Sequence, residues 1–225
     1  MKSSFDSFCR LIFVFTVLSL SSFAAEDTAK NSSAVIEPPP AGAIILWNGH
    51  DLAGWKAVFT NAVPLSNLWS ARDGVLHLAG KPMGYFRTEK TFSNYLLHIE
   101  WRWPQTNGNS GVFVHITGAD AIWPVSVECQ FKSGSAGEMV GQGGVDFPAP
   151  LISGKKRAKI TTPSEKPVGE WNAYDITCRG DTIETVVNGT KQKFIEKVTV
   201  NSGAVGIQLE GFPVEFRNLW LKPLK

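Results

Sequence analysis

Apolar and polar residues alternate along this chain in short runs, each closed by a glycine, proline or asparagine, as strands and turns do. In residues 95–103, Leu97, Ile99 and Trp101 project to one side and His98, Glu100 and Arg102 to the other, because side chains alternate across a strand. In 125–131, Val125, Val127, Cys129 and Phe131 share one face and Ser126, Glu128 and Gln130 share the opposite one. Similar runs occupy 44–47, 75–78, 85–88, 111–116, 172–179, 182–187, 204–209 and 214–221. Asp73-Gly74, Arg179-Gly180-Asp181 and Asn188-Gly189 supply hairpin chemistry between them. No helical periodicity is sustained, and 92–95 reads as a brief turn at most. About ten short strands without a long helix predict an all-β fold, a two-sheet antiparallel sandwich.

The polar faces differ from an ordinary wet sheet surface, which would favour Lys, Thr and Ser. They carry Glu100, Arg102, His115, Glu128 and Gln130. The link through Asn107-Gly108-Asn109-Ser110-Gly111 is expected to turn the first run back onto the second, so that three runs form one polar floor. Residues 133–168, rich in Gly, Pro, Ser and Lys, read as a long irregular excursion forming one wall of that site. The cluster Lys155-Lys156-Arg157 within it reads as a solvated face.

Composition narrows the function. The formal charge is only +2 over 225 residues and no basic run stands out, which disfavours nucleic acid as a partner. Of the eight tryptophans, most are expected in the core and a minority at a rim, where they could stack on sugar rings. Lys2 and Arg10 lie before an apolar run of about ten residues, and Ser22 and Ala24 fit a cleavage site. Residues 1–24 therefore read as a signal peptide, too short for the ~20 residues of a membrane span. Residues 25–42, polar and then proline-rich, read as a disordered linker to a domain over 43–225. Export to the periplasm or medium follows. Cleavage would leave Cys129 and Cys178, either paired or as two buried thiols. No Cys/His spacing suggests structural zinc, and a divalent cation among His, Glu and Gln stays open.

Several segments, in order, carry a family pattern: Leu46-Trp47-Asn48-Gly49 through Gly54-Trp55, Glu100-Trp101-Arg102, Gly108-Asn109-Ser110-Gly111-Val112-Phe113, Val127-Glu128-Cys129-Gln130, Gly206-Ile207-Gln208 and Phe216-Arg217-Asn218. Together they resemble the 3-keto-disaccharide hydrolase domain family over 43–224. The resemblance implies a concanavalin A-like jelly roll and an exported protein that hydrolyses glycosides oxidised at C3. The chain departs from the pattern at Val114-His115, where Arg is usual, and at Leu209-Glu210, where His is usual.

A 3-keto group acidifies the proton on C2, so cleavage by elimination needs a base there, an acid at the leaving oxygen and a donor to the enolate oxygen. Glu128, a lone carboxylate on an apolar strand, is the candidate base. His115 or Glu100 is the candidate acid, and Arg102 or Gln130 the oxyanion donor. Asn109, Gln208 and Glu210 complete the expected substrate-binding set. Three alternatives remain at this level: a two-carboxylate glycosidase using Glu100 and Glu128, a non-catalytic lectin-like module, and a partner-binding domain.

Overall fold

The computed structural model describes Ile36 and residues 38–225; the expected signal peptide and most of the 25–42 linker lie outside the described residues. Strands are numbered in chain order. One sheet runs β14 (Thr190–Ile195), β13 (Thr182–Val187), β12 (Asn172–Arg179), β6 (Tyr95–Arg102), β16 (Val214–Pro223), β4 (Val75–Leu78) and β3 (Trp69–Arg72), with β1 (Ile44–Ile45) along the far half of β16. The other runs β10 (Leu151–Ile152), β11 (Lys155–Ala158), β9 (Met139–Gln142), β8 (Val125–Gln130), β7 (Gly111–Thr117), β15 (Ala204–Leu209), β5 (Gly84–Thr88) and β2 (Trp55–Phe59). Each sheet has eight strands, the ladders are antiparallel, and a 3-10 turn at Leu65–Asn67 is the only helical element among the described residues.

The apolar face of every central strand turns inward, as its alternation demands. Leu97, Ile99 and Trp101 of β6 and Tyr174, Ile176 and Cys178 of β12 share one core with Val112, Val114, Val127 and Ile207 of the second sheet. Trp101 stacks on Phe131 with ring centroids 4.8 Å apart, fastening one sheet to the other. Such a pair contributes ~0.5–1.5 kcal/mol beyond simple burial. Cys129 and Cys178 lie in this core as free thiols. Burial pushes Cys178 up to about 12, which keeps it unreactive.

Two expectations are corrected. Residues 103–110 do not turn β6 back onto β7; they carry the chain from one sheet to the other, and β7 instead pairs with β8 and β15. The 133–168 segment is not irregular throughout: β9, β10 and β11 extend the second sheet beyond β8. Their shortness and their charged or glycine residues hid them, yet those are the ordinary features of edge strands. Among the described residues no helix is long and apolar enough to cross a membrane.

Candidate functional site on the outer face of the second sheet

Since β6 and β8 belong to different sheets and both turn their apolar residues into the shared core, their polar residues lie on opposite outer faces. On the first sheet, Arg217 Nε donates to Glu100 Oε2 at 2.6 Å and Asn218 Nδ2 to Oε1 at 2.9 Å. His98 lies 3.8 Å from the same carboxylate and 2.7 Å from Asp175, and stacks on Trp220. Arg102 pairs with Glu215, which also accepts His77 at 2.9 Å. The Arg102 and Arg217 guanidinia sit over the Trp171 ring, 4.6 and 4.2 Å from its centroid. Burial works against charge on His98, but Asp175 and Glu100 lift it to about 9. Burial alone would raise Glu100, yet its hydrogen bonds from His98, Asn218 and Arg217 outweigh that and hold it low. This is a bracing ion network, with each charge matched.

The outer face of the second sheet is organised differently. Glu128 is 2 % exposed and flanked in sequence by core residues Val127 and Cys129. Burial pushes it up to about 7; the Gln142 hydrogen bond lowers it, the Glu210 charge raises it, and Lys155 and Arg157 lower it. Gln142 Nε2 donates to Glu128 Oε2, and Lys155 Nζ donates to Gln142 Oε1 at 2.6 Å. The Lys155 ammonium lies over the ring of partly exposed Trp123, 4.6 Å from its centroid.

Beside Glu128 the sheet is bare. Gly111 pairs with Gln130, and Ile207 pairs with Val112, so Gln208, Gly111 and Gln130 form one row across β15, β7 and β8. A Cβ at Gly111 would stand 3.0 Å from Glu128 Cγ and 3.2 Å from Oε1, so glycine there leaves room beside the carboxylate. Gln208 is 1 % exposed, and neither atom of its amide has a hydrogen-bond partner; Asn109 Oδ1 is likewise unmatched. A buried amide left open costs about 1–3 kcal/mol per group. Glu210, at the end of β15, is also raised by burial, with Gln208, Lys155 and Lys132 opposing. Gln208 thus lies near Glu210 without closing a hydrogen bond to it.

The structure therefore brings Glu128, Gln130, Gln208 and Glu210 onto one face, with Asn109 on the chain entering β7. It separates Glu100 and Arg102 from them by the thickness of the sandwich. His115 is placed elsewhere again. A bulge between Val114 and Thr117 gives it a positive φ of 58°, and its ring nitrogens lie 3.3 Å from Val200 O and 3.2 Å from Ser93 O. It packs edge-on against Tyr95 and is fully buried, and burial lowers its pKa against the pull of the two carbonyls, so it belongs to the packing and not to the polar face. The bulge, which the sequence does not announce, breaks the strand alternation at this point. Gln142 and Lys155 were missed, because three successive basic residues show no alternation from which a strand face could be read. Among the described residues no three His, Cys, Asp or Glu side chains converge as metal ligands.

Two packed antiparallel sheets of eight strands each define a jelly-roll sandwich of the concanavalin A-like fold class. The chain belongs to the family of the 3-keto-alpha-glucoside-1,2-lyase-like domain, which it matches over residues 42–222. Among solved structures it is similar to a proposed glycosyl hydrolase from Parabacteroides distasonis, with TM-score 0.62 and 22 % identity over 82 % of this chain and 94 % of that one. It also resembles carbohydrate binding module CBM66 from Bacillus subtilis (TM-score 0.54, 12 % identity, 75 % and 95 % covered). A third likeness is to the Bacillus licheniformis beta-glucanase (TM-score 0.52, 12 % identity, 83 % and 100 % covered). At these identities the likenesses establish the fold. No curated protein matches the chain.

Proposed function

We propose that this is an exported enzyme that cleaves 3-keto-glycosides by elimination and rehydration, with Glu128 as the base. The observation that carries the reading is Glu128 itself: a buried carboxylate with a pKa about 7, facing a glycine and an unmatched glutamine amide. A base of that strength is poised for use near neutral pH. The family match supports the substrate class.

In this reading Glu128 removes the C2 proton, and the C2–H electrons form an enolate with the C3 carbonyl. The enolate then reforms the ketone as the C1–O bond breaks, leaving a C1=C2 enone. The departing oxygen takes a proton from Glu210, the other carboxyl raised by burial on this face. Water adds at C1, giving its proton to the Glu210 carboxylate, and Glu128 returns a proton to C2. The open Gln208 amide offers one donor and one acceptor side by side, which suits a ketone next to a hydroxyl. Gln130, in the same row, is available to a second substrate oxygen. Glu100, Arg102 and His115 take no part.

A second reading has one observation in its favour. Glu210 acts electrostatically on Glu128, so the two could work as the acid and nucleophile of a conventional glycosidase on unoxidised sugar. A Glu100–Glu128 pair is not available for that chemistry: packed sheets lie ~10 Å apart and both carboxylates point outward, whereas the pair needs ~5–9.5 Å. Turnover of a 3-keto disaccharide and its unoxidised parent, side by side, separates the readings. Activity on the oxidised sugar alone, reduced ~10²–10⁴-fold in Glu128→Gln, is the expected result; equal turnover of both sugars, or full activity in Glu128→Gln, would overturn it. Export predicts a mature N-terminus near Ala25, read by mass spectrometry; an intact Met1 on the exported protein would contradict it.

A further inference from the structure

Around Glu128 one contact has only one consistent assignment of donors. A lysine ammonium has no acceptor, so the Gln142 atom 2.6 Å from Lys155 Nζ must be its carbonyl oxygen. The Gln142 amide nitrogen is then forced towards Glu128 Oε2. Were the amide free to turn over, its oxygen could face Glu128 and accept a hydrogen bond from the protonated carboxyl, favouring the neutral acid. The lysine forbids that arrangement. Gln142 is 1 % exposed and held within the sheet, so it has few other orientations. Oε2 of Glu128 is thereby occupied as an acceptor, while Oε1 is the oxygen beside the space over Gly111.

We infer that Lys155 and Gln142 act as a positioning relay, in which Lys155 fixes the Gln142 amide and the amide holds Glu128 as a hydrogen-bond acceptor with its other oxygen turned towards the substrate. Lys155 touches neither the reacting atoms nor, directly, the carboxylate. It comes from β11, the strand next to the edge strand β10, and its ammonium lies over the Trp123 ring. The remaining charges acting on Glu128 are Glu210 after β15 and Arg157 on β11, and Arg157 is itself paired with Glu138 at 3.3 Å. From β7, the neighbouring position is Gly111, which brings no charge. The catalytic importance of the relay rests on Glu128 being the base, but its effect on ionisation does not.

The test is a titration of the Glu128 carboxyl in the whole protein without substrate, by ¹³C NMR of carboxyl-labelled glutamate, with Glu128→Gln assigning the resonance. Lys155→Met and Gln142→Met should each raise the Glu128 pKa by about one unit, within the range that nearby charges and hydrogen bonds produce. Lys155→Arg, keeping the cation and its donors, should restore it. The double variant Lys155→Met/Gln142→Met should shift by clearly less than the sum of the two single shifts, because the hydrogen-bonded contact is shared and only the field of the ammonium is not. Fully additive shifts would mean that the lysine acts through its field alone and would overturn the relay, as would no shift in either single variant. On a 3-keto-glycoside, the acid limb of kcat/KM should move up in Lys155→Met and return in Lys155→Arg. A failure of that substrate reading leaves the carboxyl titration intact, so the two can be told apart.

Discussion

Glu100→Gln tests the division of the polar residues between two faces. Glu100 is 8 % exposed and accepts from Arg217 at 2.6 Å and Asn218 at 2.9 Å, with His98 at 3.8 Å. The substitution keeps the shape and removes the charge, so Arg217 loses its carboxylate while remaining over the Trp171 ring. Removing one partner of a buried pair costs ~3–5 kcal/mol. The network lies on the outside of a sheet, beneath one layer of side chains, so the lower end of about 3 kcal/mol applies. For a domain of this size that is a Tm loss of roughly 6–12 °C. The assay is thermal unfolding at pH 7 beside kcat/KM on a 3-keto disaccharide at 25 °C, where the variant stays folded. The expected result is a lower Tm with kcat/KM within about twofold of the parent, since no contact links Glu100 to the Glu128 face. A loss of activity of ~10²-fold or more in folded protein would refute the assignment, because that is the signature of a catalytic acid. An unchanged Tm would refute the energetic account of the network.

Three further outcomes follow from the same geometry. Glu128 has its pKa raised from 4.5 to about 7, so the folded state binds its proton longer than the unfolded state and its ionisation costs stability as pH rises from 4.5 through 7. Glu128→Gln should therefore stabilise the protein by ~2–3 kcal/mol above pH 8, measured by denaturant unfolding, and an equal destabilisation at every pH would contradict this. His98 has its pKa raised from 6.5 to about 9, so its contribution is complete below 6.5 and is lost as pH rises through 9; unfolding should show an alkaline loss of ~2 kcal/mol, allowing for shallow burial, that is absent in His98→Gln. Gly111→Ala would bring a methyl group to 3.0 Å from Glu128 Cγ and 3.2 Å from the Cys129 carbonyl oxygen; kcat should fall by ~10²-fold in a protein that still folds, as a displaced reacting group does, and unchanged kcat would place the substrate away from Gly111.

Much of the architecture could be read from alternation alone. Leu97, Ile99 and Trp101 point into the core and His98, Glu100 and Arg102 away from it, as their order in the chain requires. Alternation assigns a face of a strand but not the sheet to which the strand belongs. Residues 103–110 are long enough either to fold back or to cross, and tertiary packing of Trp101 against Phe131 decides for crossing. The same limit explains why Glu100 and Glu128 looked like partners. His115 was misplaced because one bulge between Val114 and Thr117 breaks the period of two. Lys155 escaped notice because a short basic run reads as a solvated surface, and only the fold shows Lys155 turned towards Gln142. Gly111 read as turn punctuation; its other property, the room it leaves beside Glu128, depends on a neighbouring strand.

The central claim is that Glu128 removes a proton from C2, and its most direct test is the fate of that position in heavy water. A 3-keto disaccharide cleaved in deuterium oxide should give an oxidised product carrying deuterium at C2, read by mass spectrometry and proton NMR. Its appearance should keep pace with cleavage and fall with it in Glu128→Gln. Solvent exchange without enzyme sets the background, since a proton beside a ketone exchanges slowly unaided. Product with hydrogen still at C2, together with no primary isotope effect on cleavage of a C2-deuterated substrate, would contradict elimination and leave Glu128 and Glu210 as a conventional carboxylate pair, whose oxocarbenium chemistry leaves that bond intact.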